Sequence, residues 1–229
     1  MQAVLEGTVP ANENRFIIKG AVPDPTANFL YRFKNYLDYY KIKYDAKMFR
    51  GYYESKMYAD TLQYHFKKIA AQFSPSLDSI NYWFLKKSIN LYGEALVKTI
   101  AYEKEKFGST EKGIELIKDF WNKNGIEKSA LNIIDGSGLS PANRVTAKAL
   151  VTVLQYAKQQ KWFSFFYNAL PETNGIKMKD GYISGVRAYS GYIKSRSGTE
   201  YIFSLIVNNF DGSAATVREK IWNLLNLLK

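Results

Sequence analysis

The sequence contains no cysteine and a single histidine, His65. The first absence rules out disulfides and thiolate metal sites. The second leaves a His-dependent triad without support, and His65 sits in a Tyr/Phe/Lys-rich stretch that suits a structural or exposed side chain. No apolar stretch approaches the ~20 residues that span a bilayer. Met1 to Glu6 lack the basic start and apolar run of a secretion signal. The expectation is therefore either a cytoplasmic protein or a chain that begins downstream of a removed segment. Compact Lys/Arg runs are also lacking. The 32 Lys and Arg against 21 Asp and Glu give a net charge of +11, but the charges are scattered. Such a surface attracts anions (nucleic acid, anionic lipid or an anionic cell-wall polymer), and the scatter argues against nucleic acid.

What is present is apolar and aromatic. Hydrophobic residues make up 46% of the 229, with 18 Tyr and 14 Phe. That supports a sizeable core in one large domain or two small ones. Residues 3–9 and 15–22 read as short strands, and Pro23-Asp24-Pro25 ends the second. A helix follows, with Phe29, Leu30, Phe33 and Leu37 on one face, and residues 42–73 look like short strands. From Ser74-Pro75-Ser76 onward the pattern is helical: one helix through Leu77, Ile80 and Phe84, one over 91–106, and one capped by Ser109 with Ile114, Ile117, Phe120 and Trp121 as its apolar face. Leu131–Ile134 reads as a short buried strand, 135–141 as a loop, and 146–159 as an amphipathic helix.

The tail changes character. Residues 175–179, 185–194 and 200–209 are strand candidates, punctuated by Gly181, Gly191 and a hairpin turn at Ser197-Gly198-Thr199. Tyr201–Val207 is apolar on both alternating sets, as in a strand covered on both faces. A last helix over 214–228 carries Val217, Ile221, Leu224, Leu225 and Leu228 on one side. The expected fold class is mixed α/β (α+β): a helical lobe and an antiparallel sheet packed by a C-terminal helix. The expected organisation is one domain portion with a strand-rich segment over 1–73, a helical lobe over 74–170, and sheet strands with the last helix over 171–229.

Three constellations carry chemistry. Ser88-Ile89-Asn90 falls between two helical stretches. In one continuous helix, residues two apart point about 200° from each other. At a helix–helix junction both can face one cleft, where a hydroxyl can relay a proton and an amide can hold a peptide carbonyl. Asp135-Gly136-Ser137-Gly138-Leu139-Ser140 is a glycine-rich loop, followed by Asn143-Arg144-Val145. Lys179-Asp180-Gly181-Tyr182 lies on a strand candidate, where a Lys followed by Gly can bind a carboxylate close to the backbone.

In this order the segments resemble the class C low-molecular-mass penicillin-binding proteins, serine D-Ala-D-Ala carboxypeptidases and endopeptidases. Ser88-Ile89-Asn90 fits that family's S-x-N, with Asn90-Leu91-Tyr92-x-Glu94 following, and Lys179-Asp180-Gly181 falls where K-T-G belongs. The 135–140 loop, Ser184-Gly185-Val186, Tyr189-Ser190-Gly191-Tyr192, Gly20–Pro25 and Ser74–Leu77 continue the likeness over nearly the whole chain.

The resemblance implies an acyl-enzyme mechanism on peptidoglycan stem peptides, β-lactam binding, an extracytoplasmic or periplasmic location and no cofactor or metal. Ser88, Asn90 and Lys179 would be catalytic. Asp180, Gly181 and Tyr182 would bind substrate, the Tyr182 N–H contributing to an oxyanion hole. The S-x-x-K bearing the acylated serine is expected outside this chain, so the chain alone would be inactive. Ser109-Thr110-Glu111-Lys112 matches in letters but follows S-x-N and sits at a helix start. Asp180 replaces the usual Thr or Ser. It would repel a substrate carboxylate unless it pairs with Lys179 or a nearby cation, or is protonated. The alternative is a non-catalytic cell-wall-binding or scaffolding homologue.

Overall fold

The computed structural model describes Val22 and residues 24–45, 71–183 and 185–229. The strands expected at 3–9, 15–21 and across 46–70 lie outside these. The chain divides into two units, Met1–Ala71 and Gln72–Lys229. In the first, helix α1 (Pro25–Tyr39) starts as expected: Asp24 Oδ1 accepts from the Ala27 N–H at 2.9 Å, and Pro25 opens the first turn. Phe29 and Phe33, one helical turn apart, stack with ring centroids 5.9 Å apart.

The second unit begins with three helices, α2 (Leu77–Lys87), α3 (Asn90–Glu105) and α4 (Thr110–Lys123). Ser76 and Ser109 cap the N-termini of α2 and α4 through their hydroxyls. A two-residue ladder, β1 (Leu131–Asn132) with β2 (Arg144–Val145), closes the 135–140 loop. The strand is shorter than expected: Leu131 is buried, while Ile134 is exposed and already in the loop. Helix α5 (Ala147–Lys158) follows, capped by Thr146.

Next comes α6 (Phe163–Ala169), which the sequence pattern did not suggest. Its aromatics at Phe163, Phe166 and Tyr167 have helical spacing, but the run is short and has no side-chain cap. Packing makes it a helix, because Phe163, Phe166 and Tyr167 settle on Leu154, Leu170 and Tyr192.

The sheet has the order β3 (Glu172–Thr173), β4 (Ile176–Ile183), β5 (Val186–Lys194) and β6 (Glu200–Asn208), all antiparallel. Gly181 and Gly191 were expected to punctuate strands but lie inside β4 and β5. At Gly191 the neighbouring strand comes so close that a side chain would run into the Lys177 carbonyl. The hairpin turn before β6 is as expected, with Ser195 N–H donating to Thr199 O at 2.8 Å and Gly198 at φ 87°.

One face of the sheet packs on the last helix, α7 (Ala214–Asn226), around Ile176, Met178, Tyr189, Ile193, Phe203, Val217, Ile221 and Leu225. The other meets α5 and α6 through Tyr192 and Ile202, and the buried Tyr192 hydroxyl donates to Leu154 O at 2.8 Å. Each fully buried large side chain contributes roughly 1.5–3 kcal/mol, so these two layers dominate stability. The expected coverage of β6 on both faces follows: Phe203, Leu205 and Val207 turn to α7, and Ile202 to the helices.

Gly93 on α3 and Gly136 in the loop lie backbone to backbone; a methyl on either would be driven into the other's carbonyl. Gly93→Ala and Gly136→Ala are therefore each expected to cost roughly 1–3 kcal/mol, read as a drop of several degrees in Tm. Gly181→Ala, whose methyl meets only Ala188 at 3.8 Å, is the tolerated control.

Candidate active site

Ser88 sits where α2 stops. It takes the left-handed conformation (φ 51°, ψ 52°), and its N–H still donates to Phe84 O. Ile89 returns to extended backbone and α3 starts at Asn90. This break is what an S-x-N at a helix–helix junction requires, and it leaves Ser88 and Asn90 exposed. Left-handed backbone costs an L-residue of this kind ~1–2 kcal/mol, strain of the sort that gathers at functional positions.

Asn90 binds the junction to the loop. With its amide nitrogen turned to the acceptors, it donates to Ser88 O at 3.3 Å and to Ser137 O at 3.2 Å. The loop is ordered by its own Asp135. Oδ1 accepts from the Gly138 N–H at 2.5 Å and the Ser137 hydroxyl at 3.0 Å, and Oδ2 accepts from the Ser140 N–H at 2.8 Å. Asn143 closes the ring, accepting from the Ile134 N–H at 2.7 Å and donating to Ser140 O at 3.1 Å. Partial burial pushes the Asp135 carboxyl upward, but these donors together hold it below its ordinary value.

Glu94 joins this loop to the helices. One oxygen accepts from the Thr110 hydroxyl at the start of α4, and the other from the Gly136 N–H at 2.9 Å. The Thr110 bond lowers the Glu94 carboxyl most. Burial opposes it, while Gly136 and Lys98, 3.7 Å away, lower it further, so the net shift is downward. Glu94 and Asn143 appear in the sequence only as parts of a pattern. That one anchors the loop to two helices emerges from the three-dimensional structure.

Lys179, Asp180, Gly181 and Tyr182 lie on β4, whose outer neighbour β3 pairs only as far as Lys177. Beyond that point the outer edge of β4 has no strand partner among the described residues. Alternation puts Lys179 opposite Ser190, on the face that meets α5 and α6, and Asp180 opposite the buried Tyr189, on the α7 face. The Lys179 ammonium folds back nonetheless, donating to Asp180 O at 2.9 Å and to Asp180 Oδ1 at 3.2 Å. Arg187 on β5 approaches Asp180 Oδ2 at 3.9 Å and lies over the Tyr182 ring, 4.6 Å from its centroid. The sequence reading missed Arg187. Counting pairs back along the hairpin would have placed it opposite Tyr182.

The site residues thus form two groups: Ser88, Asn90 and the loop on the helical side, and Lys179 to Tyr182 with Arg187 on the sheet. A short relay connects the elements that carry them. Lys86 Nζ donates to Leu170 O at 3.3 Å, and Pro171 O accepts from the Met178 N–H at 3.0 Å. An apolar groove of about 440 Å³ between α2 and α6, lined by Leu77, Tyr82, Trp162 and Phe165 among others, includes none of the motif residues.

Solved structures of a penicillin binding protein and of an extended-spectrum β-lactamase share this fold. Penicillin binding protein 4 (dacB) of Haemophilus influenzae matches with a TM-score of 0.59 and 22% identity, over 66% of this chain and 39% of that one. A TLA-1 extended-spectrum β-lactamase matches with a TM-score of 0.50 and 15% identity, over 75% of this chain and 68% of that one. Residues 1–226 match the sequence profile of the D-Ala-D-Ala carboxypeptidase 3 (S13) family, and the chain belongs to that family. Among curated relatives, a D-alanyl-D-alanine carboxypeptidase of Actinomadura sp. is 30% identical over 64% of this chain, and carboxypeptidase DacB of Mycolicibacterium smegmatis is 26% identical over 55%. The chain spans 31% and 32% of the lengths of these two relatives.

Two predictions follow from the junction and its anchor. Ser88→Gly relieves the left-handed strain and is expected to leave stability equal or higher by up to ~1 kcal/mol, whereas Ser88→Val loses ~1 kcal/mol or more, both read by urea titration. Glu94 has a folded-state pKa below its ordinary 4.5. Its contribution is complete above that value and is lost as pH falls through the lower folded value. The stability gap between wild type and Glu94→Gln should therefore be full at pH 7 and close on acidification below pH 4.5; a gap that stays constant with pH contradicts the assignment.

Proposed function

We propose that the chain is part of a serine-type D-Ala-D-Ala carboxypeptidase or endopeptidase that acts on peptidoglycan stem peptides and binds β-lactams, outside the cytoplasmic membrane. The observation that carries this reading is the outer edge of β4 from Lys179 onward, which no strand among the described residues covers. Unpaired N–H and C=O groups of an edge strand accept an extended peptide as an added strand. A peptide laid there meets the Lys179 ammonium and, at Tyr182, a backbone N–H suited to stabilising a developing oxyanion. Gly181, with no side chain, leaves the backbone open to close approach.

On the helical side the exposed Ser88 hydroxyl serves as the proton relay to the leaving amine. Asn90 serves by holding Ser88 and the Ser137 carbonyl in fixed relation, so that the relay and the loop move as one piece. The acylated serine and the lysine of an S-x-x-K segment are the members of the machinery that these residues do not supply. A Haemophilus influenzae penicillin binding protein 4 of the same fold has been seen with a bound β-lactam, which fits the proposed ligand class. The second reading, a non-catalytic cell-wall-binding homologue, is favoured by one observation: Lys179 is already occupied by Asp180.

Fluorescent penicillin separates the two. With the protein in its full encoded length, covalent label that survives denaturation is expected. Replacing Ser88 by Ala should slow labelling by 10-fold or more, on the scale of ~10²–10⁴ for a positioned proton-transfer group. Folded protein that takes no label refutes the acyl-enzyme reading and leaves the binding homologue.

A further inference from the structure

The carboxylate of Asp180 is the least expected group at the site, and both of its oxygens are engaged. Oδ1 lies 3.2 Å from the Lys179 ammonium and Oδ2 lies 3.9 Å from an Arg187 nitrogen. Lys179 also donates to the Asp180 carbonyl at 2.9 Å, so the neighbouring residue takes two of its three N–H bonds. Arg187 is not free to compensate. Its side chain is only 15% exposed, its Nε is buried without a hydrogen-bond partner among the described residues, and its guanidinium is stacked on Tyr182. Asp180 itself is 53% exposed, so its charge is presented to whatever lies along the edge of β4.

An anionic group arriving there faces two obstacles. It must displace Asp180 from Lys179 to gain an ion pair, and until it does so it sits beside a like charge. A neutral carboxamide faces neither. Its N–H groups can donate to Asp180 and its oxygen can accept the remaining Lys179 proton.

We infer that Asp180 makes this edge selective for peptides whose group next to the scissile bond carries no free carboxylate, amidated ends being preferred over acidic ones. The inference rests on the reading of the β4 edge as the peptide site. It names the substrate class within that reading: amidated stem peptides and amidated cross-links rather than free D-Ala-D-Ala acids. By the same argument β-lactams, which carry a carboxylate, label the wild type more slowly than the Asp180→Asn variant.

The test is a chemical-shift titration of the protein in its full encoded length with two probes, an N-acyl-D-Ala-D-Ala acid and the same peptide as its C-terminal amide. The wild type should bind the amide more tightly by about fivefold or more, the ratio set by two carboxylates ~4 Å apart in water. Asp180→Asn and Asp180→Thr should erase or reverse that preference, and Asp180→Glu should keep it. Because Asp180 is on the surface, the Asn variant preserves shape and removes only charge. If the wild type binds the acid as tightly as the amide, or if Asp180→Asn leaves the ratio unchanged, the inference fails while the peptide site stands. If neither peptide shifts resonances of β4 in any variant, the site reading falls and the inference falls with it.

Discussion

The helical side of the site depends on one carboxylate, Glu94. Its two oxygens take donors from two directions: the Thr110 hydroxyl that opens α4 and the Gly136 amide in the loop. Hydrogen bonds to an ionised, half-buried acceptor contribute ~1.5–3 kcal/mol. By contrast, the ion pairs Lys34–Asp38 and Lys158–Glu200 are exposed, where water and salt screen them. Magnitude therefore singles out Glu94. It sits one turn into the helix that Asn90 begins, and it pulls Gly136 onto Gly93. Everything Asn90 can do to Ser137 follows from that pull.

The sheet side is built on a different principle. No single polar group holds β4; it is fixed by burial of Ile176 and Met178 against α7 and by a full ladder with β5. What polar chemistry there is lies at its far end, where burial runs out and Lys179, Asp180, Tyr182 and Arg187 form a chain of charge and ring contacts. The relay from Lys86 through Leu170 and Pro171 to Met178 is short and has no side chain in its second link. It joins a helix defined by caps to a strand defined by core packing.

Much of this was legible in the residues. Caps at Ser76, Ser109 and Thr146, the apolar face of the last helix, the 135–141 loop and the break at Ser88 all follow from local chemistry, and local chemistry is what a sequence displays. The features that could not be read are non-local. Helix α6 exists because Tyr192 and Leu154 offer its aromatics a seat. Gly181 and Gly191 look like turn residues in the sequence but lie inside strands, and at Gly191 the close approach that excludes a side chain depends on a partner strand. The pairing of Asp180 with Lys179 was one of the options the sequence left open, and the coordinates select it. Arg187 became visible only when the hairpin register set it across from Tyr182.

The contact between Gly93 and Gly136 has a geometric corollary for how such a chain can vary. A helix advances about 100° per residue, and α3 touches the loop through one bare position on its circumference. The rotational phase of the helix is therefore locked to the spacing between Ser88 and Gly93. Adding or removing a single residue between them would swing a side chain into the slot and carry the Glu94 carboxylate away from Gly136 at the same time. Sequence drift on the outer surface of α3 is free, but the count of residues from the junction to the glycine is not, and that count is a stricter signature of this site than the identity of the residues within it.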